Sequence, residues 1–262
     1  MDYKNLSPGK ARLLFRKNAE IIPTSGISAG YVQCNLIILP KDLADDFMGF
    51  AEKNIAPCPV LEMTGPGERS LKVFAKDSDI ARDVPKYRVY VNGELKDEPP
   101  DIEKYWRDDL VSFMIGCSFS FEEALTNTGI PMRHNDMGRN VPMYFTNIDC
   151  EPNGVFSGKM VVSMRPVKNE LIDKAYEVTG KMPKVHGKPI YHGSGKEIGI
   201  SDITKPDFGD AVDIYEGETP VFWPCGVTSQ SAVMSLKPPL AITHAPGYMF
   251  ITDVLNKDLM ED

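Results

Sequence analysis

Apolar positions along the chain switch between two spacings, and the switches mark out its elements. Residues 31–39 run almost without a polar break and close at Pro40, the pattern of a buried strand. Leu43, Phe47, Phe50 and Ala51 then fall on one side of residues 42–53, which predicts an amphipathic helix. Ahead of both, Ser7 and Pro8 suit the N-cap and first turn of a helix carrying Ala11, Leu14, Phe15 and Ala19 and ending before Pro23. This alternation predicts an α/β layer. Pro57-Cys58-Pro59 and Gly65-Pro66-Gly67 break the pattern, and residues 87–91 with Asn92-Gly93 read as a hairpin, so little core is expected between 57 and 93.

Trp106, Leu110, Phe113 and Met114 recur at near-helical spacing, which predicts a helix ending at Gly116. Ser120, three residues before Glu123, has the spacing of a capping box and predicts the start of the next helix. Free amides there, beside Cys117, Ser118 and Ser120, would make a seat for a carboxylate. Residues 141–146 and 159–164 read as strands, 169–178 as a helix ended by Gly180, and 183–195 as a Gly/Pro-rich loop holding His186 and His192. A strand at 220–223, a helix capped by Thr228 and running to Leu236, and two short strands around Ala245-Pro246-Gly247 complete the chain. No internal repeat is visible, but two strand and helix units predict two lobes: a three-layer α/β/α main domain and a smaller two-layer α+β domain. Residues 1–145 are assigned mainly to the larger lobe and 146–262 to the second, with the C-terminal strands returning to the first.

Composition narrows the function classes. At 262 residues and 42% hydrophobic, the chain can bury a sizeable core. Its 29 Lys+Arg against 37 Asp+Glu give a net charge of −8, which opposes sequence-independent nucleic-acid binding. Cys34, Cys58, Cys117, Cys150 and Cys225 are widely spaced, form no CxxC pair and suit reduced thiols. With no signal-like apolar stretch and no run long enough to span a bilayer, a cytoplasmic location without a membrane partner is the expectation.

Groups that hold anions or move protons concentrate from Cys117 onward. Arg133-His134-Asn135, Arg139-Asn140 and Arg165 offer planar guanidiniums suited to a carboxylate, although each arginine taken singly fits an ordinary ion pair. His244 and Asp253 read as a proton-transfer pair, or His244 as a satisfied core histidine. Cys225-Gly226 reads as a strand-to-helix turn, where helix amides lower a thiol's pKa, with an inert buried cysteine as the simpler reading. His186 and His192 fit no common zinc spacing, and Gly65-Pro66-Gly67 lacks the features of a phosphate loop.

Taken in order, several segments resemble a known family across nearly the whole chain. They are Gln33-Cys34-Asn35-Leu36, Pro57-Cys58-Pro59, Tyr87-Arg88-Val89, the run from Gly116 to Glu122, Arg133-His134-Asn135, Asn140-Val141-Pro142-Met143-Tyr144, Val161 to Pro166, His186-Gly187, Phe222-Trp223 with Cys225-Gly226-Val227-Thr228, and Thr243-His244-Ala245-Pro246-Gly247. The chain resembles the bacterial YcsI-like hydro-lyases, whose domain is also found in D-glutamate cyclase. It departs from that pattern at Tyr248, where the family usually has histidine, and at Ser229, where it usually has proline.

The resemblance implies a lyase that eliminates water from a small amino or hydroxy acid, with D-glutamate to 5-oxo-D-proline as the reference reaction and no organic cofactor. On this expectation Arg165 and the amides from Gly116 to Ser120 hold carboxylates, His134 or His244 takes the amine proton, and Glu122 or Asp253 donates to the leaving water. Cys117, Ser118, Arg133, Asn140, His186 and Thr228 complete the expected substrate contacts. One alternative is a dehydratase using a divalent ion held by Glu122, Asp210 and His192. Another is a non-catalytic carboxylate-binding protein. A homo-oligomer is left open.

Overall fold

The computed structural model describes residues 2–18 and 21–261. It is a mixed α/β protein, and among those residues it forms two antiparallel sheets with six α-helices. In chain order the elements are α1 (Pro8–Arg16), β1 (Tyr31–Pro40), α2 (Ala44–Lys53), β2 (Val60–Met63), β3 (Tyr87–Val91), β4 (Glu94–Asp97), β5 (Leu110–Gly116), α3 (Phe119–Asn127), α4 (Arg133–Asp136) and β6 (Met143–Asp149). There follow β7 (Lys159–Lys168), α5 (Ile172–Gly180), β8 (Tyr191–His192), β9 (Glu218–Pro224), α6 (Val227–Leu236), β10 (Ala241–His244) and β11 (Phe250–Leu255).

The larger sheet runs β2-β5-β1-β10-β3-β4, with β11 also pairing β1; the smaller runs β6-β7-β9-β8. Alternate residues of β1 feed opposite faces of the larger sheet. Cys34, Leu36 and Ile38 pack with Phe121 and Leu125 of α3 and Ala175 of α5, while Ile37 and Leu39 pack with Phe47 and Phe50 of α2 and Val233 of α6. Burial on both faces gives the strand its unbroken apolar run and the main sheet its three-layer arrangement.

The same effect corrects the reading of residues 106–116. They hold strand β5, not a helix, because a strand buried at every position from Leu110 to Gly116 has no polar side to reveal its period. Two other expectations also change. The segment before β3 is not poor in core, since Leu71, Ile80 and Val84 are buried in the main cluster. Both caps shift by two residues: α3 begins at Phe119 with Ser118 at its N-cap and α6 at Val227 with Gly226 at its N-cap, so Ser120 and Thr228 lie inside their helices. The Asn92-Gly93 hairpin turn forms, both residues having positive φ (52° and 81°). Ala19 lies outside the described residues.

The structure also reveals a duplication that the sequence hides. Cys34–Pro40 of β1 pair in unbroken antiparallel register with Leu110–Gly116 of β5, and Val162–Lys168 of β7 do the same with Glu218–Pro224 of β9. Each first strand ends on an extended residue, Pro40 (φ −57°, ψ 144°) or Lys168 (φ −57°, ψ 138°), and passes through one tight turn of helix into α2 or α5. The residues entering those helices match as well: Leu43 at φ −105°, ψ −7° and Leu171 at φ −107°, ψ 0°. Each half then sends its next strand into the other half's sheet. The strand after α3, β6, pairs with β7, and the strand after α6, β10, pairs with β1.

Candidate functional site

The duplication places two equivalent strand-to-helix turns in the wall of one cavity. β5 leads through Cys117-Ser118 into α3 and β9 through Cys225-Gly226 into α6; the N-cap residues share their backbone dihedrals, Ser118 at φ −59°, ψ −21° and Gly226 at φ −59°, ψ −18°. The cavity, about 510 Å³, is lined by Cys117, Ser118 and Phe119 from one turn and by Cys225, Gly226 and Val227 from the other. That volume suits a small metabolite. Both helices therefore start at the cavity, where the positive end of each helix dipole favours an anion. The amides of Gly116, Ser120, Phe121, Thr228 and Ser229 already bond backbone carbonyls, so the expected seat narrows to the amides at 118–119 and 226–227.

Behind Ser118 lies a buried charged cluster. Arg165, fully buried on β7, donates to Glu122 of α3, to Ser163 Oγ (3.0 Å) and to Ser118 Oγ (3.0 Å). Its guanidinium also lies 5.0 Å from the Phe121 ring and 5.5 Å from that of Trp223. Burial pushes the Glu122 carboxyl up, but Arg165, aided by His134, outweighs it and holds it down at about 2. His134 Nε2 sits 3.2 Å from Glu122 Oε1 without forming an aligned hydrogen bond. The cluster ties α3 to the smaller sheet and fixes Ser118 at the cavity wall.

The cavity's own polar groups come mainly from β1 and β10. Asn35 Nδ2 donates to the Gly116 carbonyl (2.9 Å), and a Cβ on Gly226 would run into it. Oδ1 of this buried side chain has no partner among the described residues. His244 Nδ1 accepts the Leu36 amide (3.1 Å), the shortest of its contacts, with Gln230 Nε2 and the Leu36 carbonyl each at 3.4 Å. Acceptance at Nδ1 puts the proton of the neutral ring on Nε2. Burial lowers the His244 pKa to about 4, so at neutral pH the ring presents an N–H donor. Burial likewise lowers His186 to about 4, while its Nδ1 donates to Ala56 O (2.8 Å). The thiols shift the other way: burial pushes Cys117 up to about 12 and Cys225 to about 11, opposed by the amides of Phe119 and Val227.

Comparison with known proteins supplies the context for this geometry. The sequence pattern of the family described as "D-glutamate cyclase" matches residues 111–253, which include both turns, Glu122, Arg165 and His244. The chain belongs to the D-glutamate cyclase family. It is 58% identical to a Clostridium beijerinckii protein described as "Putative hydro-lyase", covering 99% of both chains. It is 53% identical to a Psychrobacter arcticus protein of the same description, over 99% of this chain and 98% of that one. To "Putative hydro-lyase YcsI" of Bacillus subtilis it is 54% identical, over 97% of this chain and 99% of the relative.

Among the residues singled out in the sequence, the cavity brings together Cys117, Ser118, Asn140, His186 and His244. Arg165, Glu122 and His134 lie behind that wall as the buried cluster, so Arg165 reaches the cavity only through Ser118. Glu122, held ionised at neutral pH, is an anchor for Arg165 and not a proton donor. Asp253 is corrected outright: it accepts two hydrogen bonds from Arg12 (3.0 and 2.9 Å) and does not line the cavity. Arg133 is also elsewhere, paired with Glu218 (2.6 Å) and stacked 4.0 Å from the Tyr215 ring.

Ser120 and Thr228 occupy equivalent positions and do equivalent structural work, accepting the backbone amides of Gln33 (3.4 Å) and Val161 (2.9 Å). Glu122, Asp210 and His192 do not form the ion site of the alternative scheme. Asp210 accepts the Asn140 amide, His192 contacts Tyr176, and no three such ligands gather among the described residues. Both family departures fall off the cavity wall: Tyr248 packs on the main core, and Ser229 Oγ donates to the Gly226 carbonyl (2.6 Å) inside the first turn of α6. Sequence reasoning missed Asn35, Arg88 and Gln230 as site residues. A lone Asn within the apolar run of β1 was a readable signal for the first, and Arg88 lay in one of the segments that carry the family resemblance; Gln230 carries none.

Proposed function

We propose that this protein is a hydro-lyase acting on a small carboxylic acid, and that the acid is D-glutamate, cyclised to 5-oxo-D-proline with release of water. The observation that carries the reading is the convergence, in one cavity, of two helix starts, the Nε2–H of His244 and the unpartnered Oδ1 of Asn35. The helix-start amides receive the α-carboxylate, and Asn35 Oδ1 accepts a hydrogen bond from the ammonium group. His244 Nε2–H donates to a γ-carboxylate oxygen as charge builds on it. The N–Cδ bond forms as a Cδ–O bond breaks, and the two protons shed by the ammonium are the two that the departing oxygen takes up.

No net acid or base is consumed, so the main task of the site is to fold the substrate back on itself. Such positioning is worth about 7 kcal/mol or more in well-oriented systems. No helix among the described residues is long and apolar enough to cross a membrane. The test is incubation of the purified protein with D-glutamate, with L-glutamate as comparison, and quantification of 5-oxoproline. Stereoselective formation supports the reading, and absence of 5-oxoproline rejects this substrate.

A further inference from the structure

The cyclisation uses neither thiol of the cavity wall, yet the duplication supplies one from each half. Cys117 and Cys225 follow equivalent strands, precede equivalent helix starts and are each 8% exposed at the same cavity. Burial pushes Cys117 up to about 12 and Cys225 to about 11, so both rest as thiols; in each turn an amide of the coming helix, Phe119 or Val227, works against that burial, and Cys225 Sγ donates to Met143 Sδ (3.6 Å). Cys34, Cys58 and Cys150 are also buried free thiols, but they do not line the cavity. Two further observations point to a ligand between the turns: His244 and Asn35 line the same cavity, are each at least nine-tenths buried, and keep a polar atom, Nε2 and Oδ1, without a hydrogen-bond partner among the described residues.

We propose that Cys117 and Cys225 form a two-thiol pair that exchanges the α-hydrogen of the bound acid, giving the protein a racemase-type activity. The proposal rests on the small-acid reading of the same site. One sulfur, as thiolate, takes the α-proton: the Cα–H bond breaks, an S–H bond forms, and the electron pair passes into the adjacent carboxylate, held at the helix starts. The thiol of the other half then delivers its proton to the opposite face of Cα and becomes the thiolate. Nothing is oxidised or reduced, and the pair is left ready for the reverse direction. A duplicated site suits this chemistry, because the two enantiomers present their α-hydrogens to opposite sides.

The experiment incubates the full chain in D2O with D-glutamate, L-glutamate, D-malate and L-malate separately, following the α-proton by NMR and the enantiomers by chiral chromatography. 5-Oxoproline is measured in the same glutamate samples. The expected result is deuterium at Cα and appearance of the opposite enantiomer for at least one acid. Cys117→Ser and Cys225→Ser should each lower inversion about 100-fold or more, each retaining α-exchange with one enantiomer and not the same one. Thermal melting confirms that the variants are folded, and Cys→Ala at the same position replaces any variant that is not.

Deuterium in none of the four acids overturns the proposal, and so does loss of exchange with both enantiomers in a folded single variant. 5-Oxoproline formed without exchange leaves the cyclase reading standing alone. Exchange without 5-oxoproline removes the cyclase reading and keeps the thiol pair.

Discussion

The two halves of the molecule share a backbone and divide the chemistry. Glu122 and Gln230 hold the same position in α3 and α6, yet the first is buried against Arg165 while the second lines the cavity beside His244. Arg165 itself answers to Ile37, an ordinary core residue. The backbone amides of Met164 and Leu36 are counterparts too. Met164 donates to the Pro142 carbonyl (2.9 Å), whereas Leu36 donates to the ring of His244 (3.1 Å). Paired turns and helix starts are thus the common scaffold; behind the first turn a rigid ion pair bridges the two halves, and beside the second lies an open polar wall.

The largest effect expected from breaking this asymmetry is at Glu122. Glu122→Ala leaves the Arg165 guanidinium buried without its carboxylate, at a cost of about 3–5 kcal/mol, whereas Gln230→Ala should cost about 1 kcal/mol or less. Urea denaturation of both variants measures the contrast, and equal losses would show that the two positions are not energetically different. Acid should expose the same interaction: with its pKa held at about 2, below the ordinary 4.5, Glu122 stabilises the fold above 4.5 and loses that contribution as pH falls toward 2.

Next in size is His244→Gln, expected to slow 5-oxoproline formation about 100-fold with the fold retained, as circular dichroism would show. His244 and His186 have pKa values near 4 against 6.5 for a free histidine. The unfolded chain therefore gains protons first as pH falls from 6.5 to 4, and stability declines in that window. His244→Gln should make the decline shallower, and an unchanged slope would remove His244 as its source.

The smallest effect compares the matched hydroxyls. Thr228→Val should cost about 1 kcal/mol, because Thr228 both accepts from Val161 N (2.9 Å) and donates to Val161 O (3.2 Å). Ser120→Ala should cost less, its one bond from Gln33 being 3.4 Å long. Thermal melting resolves the pair, and the reverse order would break the equivalence drawn between them.

Much of the fold was legible because its signals are local. β1 announced itself by an apolar run ended at Pro40, α5 ends with Gly180, and the Asn92-Gly93 turn formed as its residues require. β5 was not legible, since burial on both faces erased the alternation that separates a strand from a helix. Nor was the duplication, because Cys34–Pro40 and Val162–Lys168 share register and dihedral angles without sharing side chains. At the site, Cys117, Ser118 and His244 could be picked out as unusual residues in apolar surroundings. Asp253 misled, since a carboxylate next to a strand end looks the same in sequence whether it faces a cavity or Arg12.

The traded strands have a cost during synthesis. β1 is made well before its neighbours β10 and β11, which belong to residues 241–255, so the growing polypeptide carries an open, apolar sheet edge until those residues have been added.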